Sequence, residues 1–540
     1  MDVDSIIEGL GGCGRFQKAV GLASHAIKVP IVFTMYMTFF SVAVPTWHCA
    51  DNDGGYVGVN ANGVSKDVDV TVISNWNSSL DYPKTFVNSS WNDSSSYNPF
   101  KSCTNHLNQQ CSEFVFDDNF QTIVSEWDMV CGLSWVPSTI ASVQMAGLFF
   151  GNLLSGQLAD VLGRKPPLFG SLLLLIVANL LAYFSSTWLV FGVARALCGV
   201  AMGAFLTVQY GITSEVTPSN WRACVIAVPS WATGACVFSF VSYLMPYWRK
   251  LHLLTALITV PCLAAWWLIP ESFRWYLSHN RSQDARGVMK YISRLNRTEL
   301  TDESLHEMLR VEKGELATGD KRKYSFIHLF KTRRLVKITL LSAINWFALG
   351  LLSYGIRFGI QALSGNFFLN LFLFNVIGIP VAFIAIVLTN VIGRRPTVIL
   401  TYVMATLGCV VVGIVQYIDT PLRAPLTNGF ALFASVGIEL AWGPVQVMTQ
   451  ELYPTVIRNI GYGFQNTFSR VGAIIGPQLA FLDTRVPGVM YFVCGAVGGC
   501  CILGTLALSE TRGAQLQDRI DINIVAPAAK MNIKKGKTQH

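Results

Sequence analysis

Twelve apolar stretches, each long enough to cross about 30 Å of hydrocarbon as a helix, recur along these 540 residues. They lie near 30–48, 135–158, 167–184, 188–213, 223–246, 251–269, 336–356, 367–389, 397–417, 425–449, 457–482 and 488–508. Six precede a polar interruption and six follow it. In lipid every backbone N–H and C=O has to be satisfied within the protein, so runs of this length read as helices rather than open sheet. The chain is 52% hydrophobic and 13% charged with a mean hydropathy of +0.43, where a soluble domain carries about a quarter charged residues. The expected architecture is therefore an all-α membrane protein of two six-helix bundles. The net charge of +8 sits mostly between apolar runs and at the tail, in Lys530, Lys534, Lys535 and Lys537. Membrane topology accounts for it without invoking nucleic acid.

Residues 1–29 open with Asp2, Asp4 and Glu8 and contain no apolar core followed by a small-residue cleavage site, so the first span is expected to stay in the membrane. Residues 49–134 hold Cys49, Cys103, Cys111 and Cys131 with acceptor sequons at Asn77, Asn88 and Asn92, which reads as an extracellular loop with two disulfides. Three pairings are open. Residues 270–335 are rich in Lys and Arg, the mark of a cytoplasmic loop, and the sequons at Asn280 and Asn296 fall on that side. Five helices, spans 2–6, separate the loops, so they belong on opposite faces. Both termini, including the tail at 509–540, are then cytoplasmic, and residues 135–269 and 336–508 carry spans 2–6 and 7–12. The other nine cysteines lack metal-ligand spacing, and no cofactor or metal is implied.

Two motifs punctuate the halves. After the second span the chain reads Gly156-Gln-Leu-Ala-Asp160-Val-Leu-Gly163-Arg164-Lys165, and after the eighth Leu388-Thr-Asn390-Val-Ile-Gly393-Arg394-Arg395. Glycines allow a tight turn, and the acids and arginines can join helices by charge-assisted bonds. Repetition at matching places is the internal repeat of rocking-bundle carriers.

These motifs resemble the major facilitator superfamily. Ser125-Glu-Trp127-Asp128-Met-Val-Cys131, Gly14-Arg-Phe16-Gln17, Asn345-Trp346-Phe347 with Tyr354-Gly355, Pro270-Glu271-Ser272-Phe-Arg274-Trp275 and Glu451-Leu-Tyr-Pro454-Thr-Val-Ile-Arg458 narrow the resemblance to its organic cation/anion/carnitine transporters, across essentially the whole chain. Phe273 departs from the proline usual in that family. The resemblance implies secondary transport of a small organic ion by alternating access, with Asp160, Arg164, Glu215, Arg222, Glu271, Arg274, Arg394, Glu451 and Arg458 as gating charges that pair while the cavity faces outward and separate when it opens inward. Their other role would be to anchor topology.

Charges inside spans are costly and therefore informative. Arg470 lies mid-way along the eleventh span, Glu439 mid-way along the tenth, Arg195 in the fourth and Arg357 toward the outer end of the seventh. The family's cation carriers tend to have an acid at the position of Arg470, and its anion and carnitine carriers an arginine. A guanidinium binds a carboxylate bidentately, so an organic anion or a carboxylate-bearing zwitterion is favoured. Gly378 and Ala382, where relatives often carry an acid or a lysine, supply neither sign. Glu439 could neutralise Arg470, bind an ammonium group or carry a proton, and Arg195 resembles a packing residue. Trp346, Phe347, Tyr354, Tyr210 and Phe464 are candidate aromatic walls. An organic cation is the alternative cargo and a sugar the next, although a neutral sugar has no need of Arg470. A receptor role for the glycosylated loop is a different class. No ATP-binding Gly-x-x-x-x-Gly-Lys run, zinc His-Glu-x-x-His or Gly-x-Ser-x-Gly elbow supports an enzyme. No feature fixes an oligomeric state.

Overall fold

A computed structural model describes residues 7–50, 103–104, 109–117, 120–218, 228–298, 325–363, 365–418, 420–454 and 457–512. Among them, twelve helical segments follow the apolar stretches: α1 Arg15–Ser41, α2 Val136–Leu162, α3 Lys165–Tyr183, α4 Trp188–Val216, α5 Ser230–Leu244, α6 Trp248–Cys262, α7 Arg333–Phe358, α8 Phe367–Val391, α9 Arg394–Val415, α10 Arg423–Leu452, α11 Arg458–Arg485 and α12 Val489–Leu506. Among the described residues, nine spans are long and apolar enough to cross a membrane by length and composition alone. Each of α5 and α6 is 15 residues long, and α11 carries Arg458, Arg470 and Arg485.

Each helix pairing in the first half has its counterpart in the second. α1 packs on α4, α5 and α6 as α7 packs on α10, α11 and α12; α2 on α4 matches α8 on α10; α3 on α4 and α6 matches α9 on α10 and α12. Between halves the main contacts are α2 on α11 and α5 on α8, again related by the repeat. Glycine sets the spacing inside each half. A Cβ on Gly199 would lie 2.1 Å from the Gln144 carbonyl oxygen, and one on Gly472 would lie 2.2 Å from that of Phe347. Backbones approach this closely only where one partner lacks a side chain, the rule for helices that lipid does not drive together.

Helix boundaries differ from the sequence reading where polar residues are buried against protein. α1 begins at Arg15 rather than near 30: Asn296, at the end of the amphipathic helix Ser282–Asn296, accepts the Phe16 N–H at 2.8 Å and donates to the Leu10 carbonyl at 2.8 Å and to Gln17 at 3.0 Å. This sequon asparagine is thus part of a structural joint. Asp160, Glu215 and Glu451 lie inside the last turns of α2, α4 and α10 rather than after them.

The disulfides are Cys49–Cys111 and Cys103–Cys131, which resolves the three possible pairings. Strands β1 (Trp47–Cys49) and β2 (Phe114–Phe116) pair antiparallel beside the first bridge. Next, Trp127 packs edge-on to Trp248 at 5.4 Å, and Glu126 accepts the Trp248 indole N–H at 2.7 Å and pairs with Arg249. Arg249 also donates to the Tyr183 and Ser185 carbonyls at 2.6 and 2.7 Å, so the loop motif is docked on the ends of α3 and α6. The face carrying these bridges is called the disulfide face below. Asn77, Asn88, Asn92 and Arg222 lie outside the described residues.

Gly472→Ala should cost about 1–3 kcal/mol by overpacking, seen as a lower Tm in detergent. Gly429→Ala, whose added methyl meets nothing within 4 Å, should leave Tm unchanged or slightly raised.

Candidate functional site

The repeated motifs fold into two matching charge clusters. Arg164 pairs with Asp160 at 2.6 Å and Glu215 at 3.3 Å, while Glu271 accepts the backbone N–H groups of Arg164 at 2.7 Å and Lys165 at 3.0 Å. In the second half Arg394 pairs with Glu451 at 3.0 Å, and Glu510 accepts the N–H groups of Arg394 and Arg395, each at 3.0 Å. Glu271 and Glu510 therefore sit on the N-termini of α3 and α9, where unsatisfied donors and the helix dipole favour an anion. The turns require glycine. Gly163 and Gly393 have φ +97° and +112°, and a Cβ would come within 2.3 Å of Glu271 Oε2 and 2.9 Å of Glu510 Oε2. Thr511 also donates to Glu451 at 2.5 Å.

Both clusters stay within one half, joining the first turns of α3 to α2, α4 and the segment after α6, and those of α9 to α10 and the segment after α12. Arg274 stands on the helix Phe273–Ser278 over the Phe273 ring and joins neither, and Arg458 opens α11. Glu510 lies beyond the last span. Burial raises its pKa, but the N–H groups of Arg512, Arg394, Arg395 and Thr511 outweigh that and hold the carboxyl below its ordinary value.

The halves meet tightly toward the disulfide face. Ser142 on α2 donates to the Ile474 carbonyl on α11 at 2.8 Å and accepts from Gln478 at 3.1 Å; Asn375 on α8 donates to Ser239 on α5 at 3.1 Å. Phe39 and Phe358 pack with centroids 4.6 Å apart, and Phe120 stacks on Phe367 at 5.8 Å. Arg357 is the hub: it pairs with Glu439, donates to Asn375 at 3.0 Å, and crosses the seam to the Tyr36 hydroxyl on α1. At the opposite face no ion pair joins the halves among the described residues. The structure is thus closed between bundles on the disulfide side while both charge clusters are intact. Among the described residues, these pairs hold each half together and do not bridge the two.

Glu439 is committed to Arg357, not to Arg470. The Arg470 guanidinium faces the Asn152 amide on α2, which in its hydrogen-bonded orientation accepts Arg470 Nε–H at 3.2 Å and donates to Thr207 and the Gly203 carbonyl. Among the described residues no carboxylate reaches it. Of the aromatic candidates, Tyr210 is 43% exposed on α4. Trp346 is buried, its indole donating to Thr449 at 2.9 Å and meeting Tyr462 edge-on at 5.2 Å. Tyr354 is also buried and Phe347 half-buried, its carbonyl against Gly472. Phe464 belongs elsewhere, in a cluster with Phe326, Phe330 and Phe468 near the start of α7. Tyr36, Asn375, Ser239 and Asn152 were missed in the sequence; an amide inside an apolar run, as at Asn152 and Asn375, is the signal that could have raised them.

Two pseudo-symmetric bundles around a central seam, with charges at mid-span, define a membrane carrier that works by rocking. The family model for Sugar (and other) transporters matches residues 78–518, and the chain belongs to that family, a family of transporters rather than enzymes. Over 96% of its length it is 28% identical to an organic cation transporter-like protein of Drosophila melanogaster and 27% identical to organic anion transporter 3 of Oryctolagus cuniculus, covering 92% and 93% of those relatives. It is 28% identical to human organic cation/carnitine transporter 2 over 76% of this chain and 73% of that one. Among solved structures, the major facilitator proton:xylose symporter XylE bound to 6-bromo-6-deoxy-D-glucose shares the fold, with a TM-score of 0.56 at 17% identity over 72% of this chain and 89% of that one. An inward-open XylE gives 0.57 over 70% and 87%.

Ser142→Cys with Gln478→Cys should form an oxidative cross-link that stops transport, and reduction should restore it; full activity of the cross-linked protein would contradict an obligatory opening of this seam. Because the Glu510 pKa is lowered on folding, its latch contributes stability above the ordinary carboxyl range and loses it as pH falls through the lowered value. Glu510→Gln should lower Tm at neutral pH, and the gap from wild type should close in acid.

Proposed function

We propose that this carrier moves a small organic anion, or a zwitterion bearing a carboxylate, across the plasma membrane, and that Arg470 receives the carboxylate. One observation carries the reading: Arg357 and Glu439 cancel each other, which leaves Arg470 as a mid-span cation facing only a neutral amide among the described residues. A cation there costs several kcal/mol unless paired, and a carboxylate cargo supplies the pair in transit. Tyr210, Phe347 and Tyr462 lie along the same inner stretch of α4, α7 and α11, an aromatic setting suited to flat organic ions. The names of the relatives, which include organic anion, organic cation and carnitine transporters, support an organic ion over a sugar.

In this reading the disulfide face is extracellular, with glycans at Asn77, Asn88 and Asn92, and the charge clusters and the residues flanking α1 and α12 are cytoplasmic. Alternating access then breaks the Ser142–Ile474, Asn375–Ser239 and Tyr36–Arg357 bonds on the outside while each half moves as a body. Glu439 favours the second reading, an organic cation, if Arg357 releases it during the cycle.

Uptake of radiolabelled carboxylates, carnitine-like zwitterions and quaternary ammonium ions into expressing cells tests both. Wild type should prefer the carboxylates, and Arg470→Asp should reduce their uptake at least about tenfold, the loss of one charge-assisted pair, with surface expression retained. Unchanged carboxylate uptake in Arg470→Asp sinks the assignment.

A further inference from the structure

Arg195 on α4 is fully buried inside the first bundle, away from the seam residues described above. One nitrogen, Nη2, donates to the Thr34 carbonyl at 3.0 Å and to the Thr38 hydroxyl. The Nε–H and Nη1 donors have no partner, and no carboxylate pairs with the side chain among the described residues. The Gln144 amide beside it is a second donor without a good acceptor. Thr38 gives its proton to Gln144 Oε1 at 2.6 Å, so the Gln144 amide nitrogen is left facing only the Met35 and Met202 sulfurs at 4.0 and 3.7 Å, weak acceptors both. One layer out, Asn179 donates through its amide nitrogen to the Leu175 carbonyl at 2.9 Å and therefore accepts His252 Nδ1–H at 2.8 Å, so Nε2 of the neutral ring is a lone pair and adds no donor to the site.

We infer that this pocket binds a monatomic inorganic anion of the chloride class, held by Arg195 with the Gln144 amide. A buried guanidinium without a counter-ion costs several kcal/mol, and donors clustered around it call for an acceptor that carries negative charge. Water satisfies the donors and leaves the charge uncompensated. Thr34, Thr38, Met35, Gln144 and Met202 are each buried to 1% exposure or less, so the site is shut off from the path of an organic cargo. The site is separate from Arg470, which is half-buried between α2 and α11. Bound halide joins α2 and α4, the helices that contribute Gln144 and Arg195, and so stabilises the first bundle.

Thermal unfolding of the purified carrier in detergent, in chloride against methanesulfonate, which carries no carboxylate, at equal ionic strength, tests the inference. Tm should rise with chloride in wild type, because a ligand bound only to the folded state stabilises it. Gln144→Leu, which keeps volume and Arg195, should fold and need about tenfold more chloride for the same rise, the loss of one hydrogen bond to a charged group. Arg195→Gln, where it folds, should show no chloride dependence, and Arg470→Gln should show it in full. Diffraction from bromide-soaked crystals should place an anomalous peak beside Arg195. Equal Tm in chloride and methanesulfonate, or a dependence lost in Arg470→Gln and kept in Gln144→Leu, would overturn the site.

Discussion

Everything in this molecule turns on an asymmetry of packing between the inside of each bundle and the seam between them. Within a bundle, glycines bring backbones so close that no methyl fits between Gly199 and Gln144 or between Gly472 and Phe347. Between bundles, the main runs of contact among the described residues are α2 with α11 and α5 with α8, and the polar bonds that cross are single hydrogen bonds, most near the disulfide face and one at mid-span from Arg470 to Asn152. Lipid offers helices no hydrophobic reason to associate, so contact geometry decides which surfaces stay together. Two rigid bodies with a sparse, bondable seam can exchange one closed face for the other at modest cost, whereas a carrier packed uniformly could not.

The charge clusters sharpen that division. Each seats a glutamate, Glu271 or Glu510, on the first N–H groups of α3 or α9, then ties the arginine at that turn to an acid on α4 or α10. The carboxylate comes from the segment after the last helix of the same half, so chain ends distant in sequence close one body. Because the clusters are complete while the disulfide face is shut, their strength fixes the shape of what moves and leaves the direction of opening to the seam.

Much of this was legible in the sequence because it rests on local rules. Span lengths, the six-plus-six spacing and the paired Gly-Arg turns follow from hydrocarbon thickness and from backbone at positive φ, and both are written in single residues such as Gly163 and Gly393. The partners of buried charges were not legible. Glu439 lies in the right region for Arg470, yet the helical phases of α7 and α10 give it to Arg357, and sequence spacing within one span says nothing of its rotation against another. Phe464 fails as a cavity residue for the same reason: its ring turns toward Phe326 and Phe330. The early start of α1 was hidden because polar residues there are covered by Asn296 rather than by lipid.

The distribution of basic side chains across three positions within the spans gives each a separate duty. Arg357 is neutralised by Glu439 and spends its remaining donors on Tyr36 and Asn375, so it adds no net charge to the seam and serves to hold it. Arg195 is locked behind α1 and α2, where a cargo cannot reach it without unpacking Thr38 and Gln144. Arg470 alone combines partial exposure with a partner, Asn152, that returns no charge. A weak neutral partner is what a transport site requires: strong enough to orient the guanidinium while the site is empty, and weak enough for a carboxylate to replace it without first breaking an ion pair. An acid in place of Asn152 would keep Arg470 neutral through the whole cycle, so the amide on α2 helps decide the charge of the cargo as much as the arginine on α11 does.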